Sequence, residues 1–307
     1  MAASRGIAAN AEEATYKVGI CQLIQHEALD AATQGFQDAL TEKLGDRVEF
    51  DVQNASGESV NCSTIINGFV SDQVDLILAN ATGALQAAVA GTSDIPILGT
   101  AVTDYATALD IDDWTGTVGG NVSGTSDCAP LDQQAAMILE LVPEAKTVGM
   151  LYCSAEPNSE YQVNVVTEAL KELNPDLEIK NYTFADSNDI SSVATSATEC
   201  DVVYIPTDNT AANNTEAINN VMEPAGVPVI AGEAGICQGC GIATLSISYY
   251  DLGYTTGEMA YEILEEGADI STMEVQYAPN VTKQYMADRC EKLGITVSDD
   301  YEAIEAE

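Results

Sequence analysis

A short programme of residues occurs twice in this chain, in the same order. Lys17-Val18-Gly19-Ile20 is answered by Thr147-Val148-Gly149-Met150, Val74-Asp75-Leu76-Ile77 by Cys200-Asp201-Val202-Val203, and Ile95-Pro96-Ile97 by Val227-Pro228-Val229. Val18 and Val148 stand 130 residues apart, Asp75 and Asp201 126, and Pro96 and Pro228 132. Each match alone is weak, because Val, Gly and Asp are common where strands begin. Order and near-constant spacing together imply two similar lobes. A length of 307 residues suits about two domains, and 46% hydrophobic residues suffice for packed cores.

The first copy shows what each lobe is made of. Strand-like Tyr16–Leu23, Val48–Gln53 and Leu76–Ala79 alternate with helix-like Ala28–Leu44 and Ser59–Asp72. Strands separated by stretches of helical period imply βαβ units and a parallel sheet. The helix beginning near Glu27 puts Leu29, Ala32, Phe36, Ala39 and Leu40 on one face and Asp30, Gln34, Gln37 and Glu42 on the other, and ends at Gly45.

After each strand the residues turn polar: Gln25-His26-Glu27, Asn80-Ala81-Thr82, Thr103-Asp104, Glu156-Pro157-Asn158-Ser159, Thr207-Asp208-Asn209 and Gly232-Glu233. Open α/β sheets bind ligands outside the carboxyl ends of their strands. Two facing lobes would gather all six loops around one cleft.

Charge limits what that cleft can hold. The chain has 10 Lys plus Arg against 49 Asp plus Glu, a formal net charge of -39. This excludes binding to duplex DNA or polyphosphate through counterion release. None of the basic residues falls in the six loops, so a ligand carboxylate would need hydroxyls, backbone N–H groups and helix ends rather than an Arg fork. Thr82 and Ser159 are candidates for that role, with Ser126 in the turn Gly124-Thr125-Ser126-Asp127; the alternative is ordinary helix capping. Asp208, Glu233, Glu156, Asp127 and Asp104 could pair with a ligand ammonium, or could be solvated loop residues or caps. His26, the single histidine, is either a ligand contact or a helix-start residue, and alone it cannot build a histidine metal site. Tyr105, Tyr161, Tyr249 and Tyr250 lie near enough to the loops to stack on a ligand.

No nucleophile elbow, Walker loop or Gly-x-Gly-x-x-Gly occurs, so neither hydrolysis nor a nucleotide cofactor is expected. Cys237-Gln238-Gly239-Cys240 is read as a pair of incidental thiols in a Gly-rich loop. The eight cysteines are too scattered for a disulfide framework and point to a reducing or anaerobic habitat. No apolar run reaches membrane-spanning length, and Met1–Thr15 lacks a signal-peptide core, as in a cytosolic protein or a mature segment. Residues 1–15, Ala8–Ala14 above all, are expected to form a flexible leader suited to a tether.

Several elements in order resemble a known family. They are Gly19-Ile20-Cys21-Gln22 with His26 and Leu29-Asp30-Ala31, Ala101-Val102-Thr103-Asp104, Asn121 through Asp127, Glu156-Pro157-Asn158-Ser159, Pro206-Thr207-Asp208-Asn209-Thr210, Ala231-Gly232-Glu233, and Tyr249 through Gly253 with Thr256-Gly257. From Tyr16 to the C-terminus the chain resembles ABC-transporter substrate-binding proteins of the type I periplasmic-binding fold, in the branch tied to tryptophan and other aromatic amino acids.

The resemblance implies an α/β protein of two Rossmann-like lobes with parallel sheets, joined by a three-segment hinge. Lobe 1 would comprise residues 16–125 and 248–276, and lobe 2 residues 126–247 and 277–307. The crossovers would lie near Gly124–Cys128, Leu245–Tyr250 and Val275–Asn280. It implies a non-enzymatic, extracytoplasmic, lipid-anchored monomer that delivers its ligand to an ABC permease, uses no cofactor or metal and binds no nucleic acid. The candidate ligand set is His26, Thr82, Thr103, Asp104, Ser126, Asp127, Glu156, Asn158, Asp208 and Glu233. An amino acid's carboxylate would meet Thr82 and Ser126, and its ammonium Asp208 and Glu233 in preference to Glu156 and Asp127. A sugar, nucleoside or other neutral polar ligand is the alternative occupant; an enzyme or a DNA-linked regulator lacks the residues it would need.

Overall fold

The computed structural model describes residues 14–278 and 280–305. The leader expected over residues 1–15 lies outside these except for its last two residues.

The first half runs β1 (Tyr16–Gln22), α1 (Glu27–Leu44), β2 (Val48–Asn54), α2 (Ser59–Ser71), β3 (Leu76–Asn80), α3 (Thr82–Gly91), β4 (Ile97–Val102), α4 (Tyr105–Leu109) and β5 (Val122–Ser126). The second continues α5 (Leu131–Leu141), β6 (Thr147–Cys153), α6 (Pro157–Leu173), β7 (Glu178–Phe184), α7 (Ile190–Ala197), β8 (Val202–Ile205), α8 (Asn209–Ala212), α9 (Thr215–Ala225), β9 (Val229–Ala231), α10 (Ala234–Cys240) and β10 (Ala243–Ser246). The chain closes with α11 (Tyr249–Leu264), β11 (Gln276–Tyr277), β12 (Thr282–Tyr285), α12 (Ala287–Leu293) and β13 (Glu302–Ala303).

Two sheets result, ordered β11-β5-β4-β3-β1-β2 and β13-β12-β10-β9-β8-β6-β7. The core order is the same in both, with β6 to β10 taking the places of β1 to β5. All pairings are parallel except β10 with β12. β3, β4 and β8 are buried along their whole length, as strands covered by helices on both sides must be.

The repeated residues do the same work in each lobe. Asp75 Oδ2 accepts the N–H of Lys17 at 2.7 Å, and Asp201 Oδ2 accepts that of Thr147 at 2.9 Å, so each aspartate caps the start of its lobe's first strand. The Pro96 carbonyl accepts from Ile77 N and the Pro228 carbonyl from Val203 N, both at 2.9 Å, which sets equivalent strand registers.

The chain passes between the sheets after β5, after β10 and after β11. α11 returns to the first lobe and lies directly on α1. A Cβ on Gly253 would sit 1.9 Å from the Ala32 carbonyl oxygen, and one on Gly35 2.1 Å from that of Tyr250, so only glycine allows this approach. Tyr250 and Tyr254 extend the seam outward, donating to Asp38 at 2.9 Å and Glu42 at 2.8 Å.

Three local expectations need correction. Ser126 is the last residue of β5, not part of a turn. Cys237 and Cys240 lie within α10, because backbone bonds from Cys237 N to Glu233 O and from Gly241 N to Cys237 O continue the helix through the Gly-rich stretch. Tyr250 faces α1 rather than the strand-end loops, since its hydroxyl is drawn to Asp38.

Candidate functional site

The two lobes bring their strand-end loops face to face, and these loops are built differently. In lobe 1, α3 starts without a side-chain cap. The residue before it is Ala81, at φ 89°, and Thr82 is the first residue inside the helix. Thr82 is therefore not the cap its sequence position suggested; it is buried at an open helix start, where N–H groups and the helix dipole favour an anion. Thr103 is buried at the end of the neighbouring strand. Asp104 caps α4 by accepting from Thr107 N at 2.7 Å. Ser126 donates to the Thr103 carbonyl at 2.8 Å, an internal bond.

Lobe 2 presents carboxylates already engaged by its own donors. Asp208 is buried and accepts from Ala211 N at 2.7 Å, Cys153 N at 2.7 Å and the Ser159 hydroxyl at 2.8 Å. Ser159, expected as a helix cap, lies inside α6 and serves Asp208. Burial pushes the Asp208 carboxyl up, the Glu156 charge adds to this, and the three donors oppose it. Glu156 precedes α6 yet does not cap it; it reaches over to accept from Asn209 N at 3.0 Å, Asn209 Nδ2 at 2.8 Å, Thr210 N at 2.8 Å and the Thr210 hydroxyl at 2.7 Å. Asn158 bonds Glu156 at 3.2 Å and the Thr207 carbonyl at 3.1 Å. Glu156, Asn158 and Asp208 thus form one polar knot that holds three loops of the second lobe together.

Glu233 and Asp127 are different. Glu233 caps α10, accepting from Gly235 N at 2.7 Å and from Ile236 N, and it is buried. Burial pushes its carboxyl up to about 7, against those two donors, and the charges of Glu27 and Asp127 add to the shift. Gly232 makes this loop possible, because a Cβ there would lie 2.4 Å from Thr207 N. Asp127 is 4% exposed in the first crossover. Its Oδ2 accepts from the Tyr249 hydroxyl at 2.8 Å, and its Oδ1 is buried without a hydrogen-bond partner. The Thr103 hydroxyl, close by, joins Tyr249 in favouring the charged form. Burial again pushes the carboxyl up. The Asp127 charge thus reaches Glu233 and adds to its upward shift, and a cation placed near both acids would favour their charged forms.

Two chambers open from the interlobe cleft. One of about 400 Å³ is lined by Gln25, His26, Glu27, Glu233, Gly235 and Gln238 among others. One of about 530 Å³ is lined by Leu23, Ile24, Gly83, Pro157, Asn158 and Asn209 among others. His26 Nε2 meets Asn209 Oδ1 across the cleft at 3.2 Å. Burial lowers the His26 pKa, while the Asn209 bond and the Glu156 and Asp30 charges oppose this. Among the described residues, no Lys or Arg lines either chamber.

Of the four candidate tyrosines, Tyr105 is core, stacked on Trp114 with centroids 6.4 Å apart, and Tyr249 serves Asp127. Tyr161 on α6 is half-buried and feels the charge of Asp104. Sequence reasoning gave Tyr249 a stacking role instead of its bond to Asp127, and passed over Asn209 as a partner of His26. The latter contact joins residues 183 apart, and nothing local announces it. Among the described residues no three His, Cys, Asp or Glu side chains come together to hold a metal.

Comparison with known proteins agrees with this architecture. The family described as ABC transporter substrate binding protein matches residues 17–306. A tyrosine-binding protein of Clostridioides difficile (strain R20291) is 37% identical over 252 residues, 81% of this chain and 72% of its own. The crystal structure of an ABC domain in complex with L-Trp from Streptococcus pneumonia is 30% identical, covers 93% of this chain and 97% of its own, and overlays with a TM-score of 0.88. A ligand-free, open substrate binding protein with adhesive properties from Clostridium difficile is 34% identical over 95% of this chain and all of its own, yet overlays at only 0.72. The more identical sequence gives the poorer overlay, so the lobes here are arranged more nearly as in the L-Trp complex than as in the open protein.

Proposed function

As the chain belongs to the ABC transporter substrate binding protein family, we propose that its interlobe cleft receives an aromatic α-amino acid, tyrosine or tryptophan, for delivery to an ABC permease. The observation that carries this reading is a buried Asp127 with an unpartnered Oδ1 whose charge reaches buried Glu233, taken with the uncapped start of α3 in the other lobe and chambers whose described lining holds no Lys or Arg. A zwitterion matches that polarity. Its ammonium lies between Asp127 and Glu233, and its carboxylate takes the start of α3 with the hydroxyls of Thr82 and Thr103. The names of two relatives, a tyrosine-binding protein and an L-Trp complex, support the aromatic class.

This reading changes the assignment made from sequence. Glu233 keeps its role and Asp127 joins it; Asp208 and Glu156 hold the second lobe's loops, and Asp104 and Ser126 secure lobe 1. The protein works outside the cytoplasmic membrane as a lipid-tethered monomer, and recognition involves no covalent step.

A thermal-shift screen of the amino acids, with sugars and nucleosides alongside, tests the proposal. Ligand at about 100 times its Kd adds about 2.7 kcal/mol of stability. Stabilisation by L-tyrosine, L-tryptophan or L-phenylalanine is expected, and it should vanish with their N-acetyl and ester derivatives. Stabilisation by sugars or nucleosides alone would overturn the amino-acid reading.

A further inference from the structure

Among the described residues, His26 to Asn209 is the side-chain hydrogen bond that spans the lobes away from the crossovers. The Asn209 amide is not free to turn. Its Nδ2 donates to Glu156 Oε2 at 2.8 Å, and Glu156 is itself fixed by the Asn209 and Thr210 backbone N–H groups. The amide oxygen must therefore face His26, and because an oxygen only accepts, His26 Nε2 must carry the hydrogen. The bond lies where the two chambers meet: His26 lines one, Asn209 the other, and Asn213 both.

We infer that Asn209, oriented by Glu156, is a positioning residue that latches the closed cleft by accepting a hydrogen bond from His26. The inference rests on reading the cleft as the ligand site. Bound ligand cannot leave until the lobes part, so the latch acts on release more than on capture. The donors and acceptors come from residues that need not touch the ligand. Asn209 thus tunes residence time for any ligand the cleft accepts.

Two kinds of measurement test it. The chain contains one histidine, so ¹⁵N NMR of a histidine-labelled sample at pH 8 reports a single imidazole. The Nε2–H tautomer should dominate, and Asn209→Ala should raise the Nδ1–H fraction; a wild-type Nδ1–H tautomer would overturn the inference. Stopped-flow release of L-tyrosine, or of L-tryptophan if tyrosine does not bind, should quicken roughly fivefold in Asn209→Ala and in His26→Leu, as loss of one net hydrogen bond predicts. The double variant should be no faster than either single one, since both remove the same bond. His26→Gln, which keeps an N–H donor, should recover slow release. Unchanged release in Asn209→Ala, or additive effects in the double variant, would sink the latch. If neither amino acid binds the wild type, the proposed function fails and the latch is judged on tautomer and on small-angle scattering. Asn209→Ala must then be more expanded than the wild type, and equal radii of gyration would overturn it.

Discussion

The two lobes share a topology but not an electrostatic design. At the strand ends of lobe 1, α3 opens with buried hydroxyls and an uncapped start. At those of lobe 2, Glu156, Asp208 and Glu233 fill the equivalent positions with carboxylates bonded to backbone N–H groups. The difference teaches that one scaffold, doubled, can become a polar receptor. Lobe 1 leaves the start of α3 uncapped and caps α4 with Asp104, whereas lobe 2 caps both corresponding helices, α8 and α10, with acids.

Removing the acids of the cation side should break this contrast most severely. Asp127→Asn combined with Glu233→Gln should weaken tyrosine or tryptophan binding by about 2–5 kcal/mol, the scale of a buried charge pair losing one side, as read by calorimetry. Asp208→Ala should separate knot from site. It removes three bonds, one of them the α8 cap, so stability should fall by about 2–3 kcal/mol in denaturant unfolding, with affinity little changed in protein that stays folded. A large loss of affinity there would return Asp208 to the ligand.

Gly253→Ala probes the seam between α1 and α11 in lobe 1. Its Cβ would meet the Ala32 carbonyl, and overpacking of this kind costs about 1–3 kcal/mol, visible as a lower Tm. Proton linkage then sharpens the role of Glu233. Its folded-state pKa, about 7, lies above the ordinary glutamate value of 4.5. The folded protein therefore binds more protons than the unfolded one between those values, and the stability contributed at low pH is lost as pH rises from about 4.5 to 7. Asp127 and Asp208 act in the same sense, so the difference between wild type and Glu233→Gln, by melting at pH 5 and pH 8, isolates Glu233. Ligand binding should run the other way, tightening as pH rises towards 7 and levelling off above it. The smallest effect compares the lobes directly: Asp75→Ala and Asp201→Ala should each cost about 0.5–1 kcal/mol, because each removes an exposed cap on a first strand.

Much of this could be read before folding was considered. The landmarks Asp75 and Asp201, Pro96 and Pro228 identified equivalent strands, and the structure shows that each pair makes the same backbone bond. Periodicity placed α1 and its buried face. The polar residues after each strand located the cleft, because parallel strands all end on one side. What could not be read was which of the polar groups would be left free. Asp208 and Asp127 look alike in sequence, yet one is ringed by Cys153, Ser159 and Ala211 while the other keeps an unpartnered oxygen.

The sequence by itself determined the doubled α/β plan and the acidic, cation-poor loops, which follow from local pattern and composition and survive in a linear string; its ordered motifs carried the resemblance to the family that comparison then showed. Only the tertiary structure decided that Cys237 and Cys240 sit in a helix, that Tyr250 faces α1, that Glu156 turns Asn209 towards His26, and that Asp127 keeps a buried oxygen without a hydrogen-bond partner. Those outcomes depend on which donors reach a given oxygen first, and the donors lie tens to hundreds of residues away along the chain.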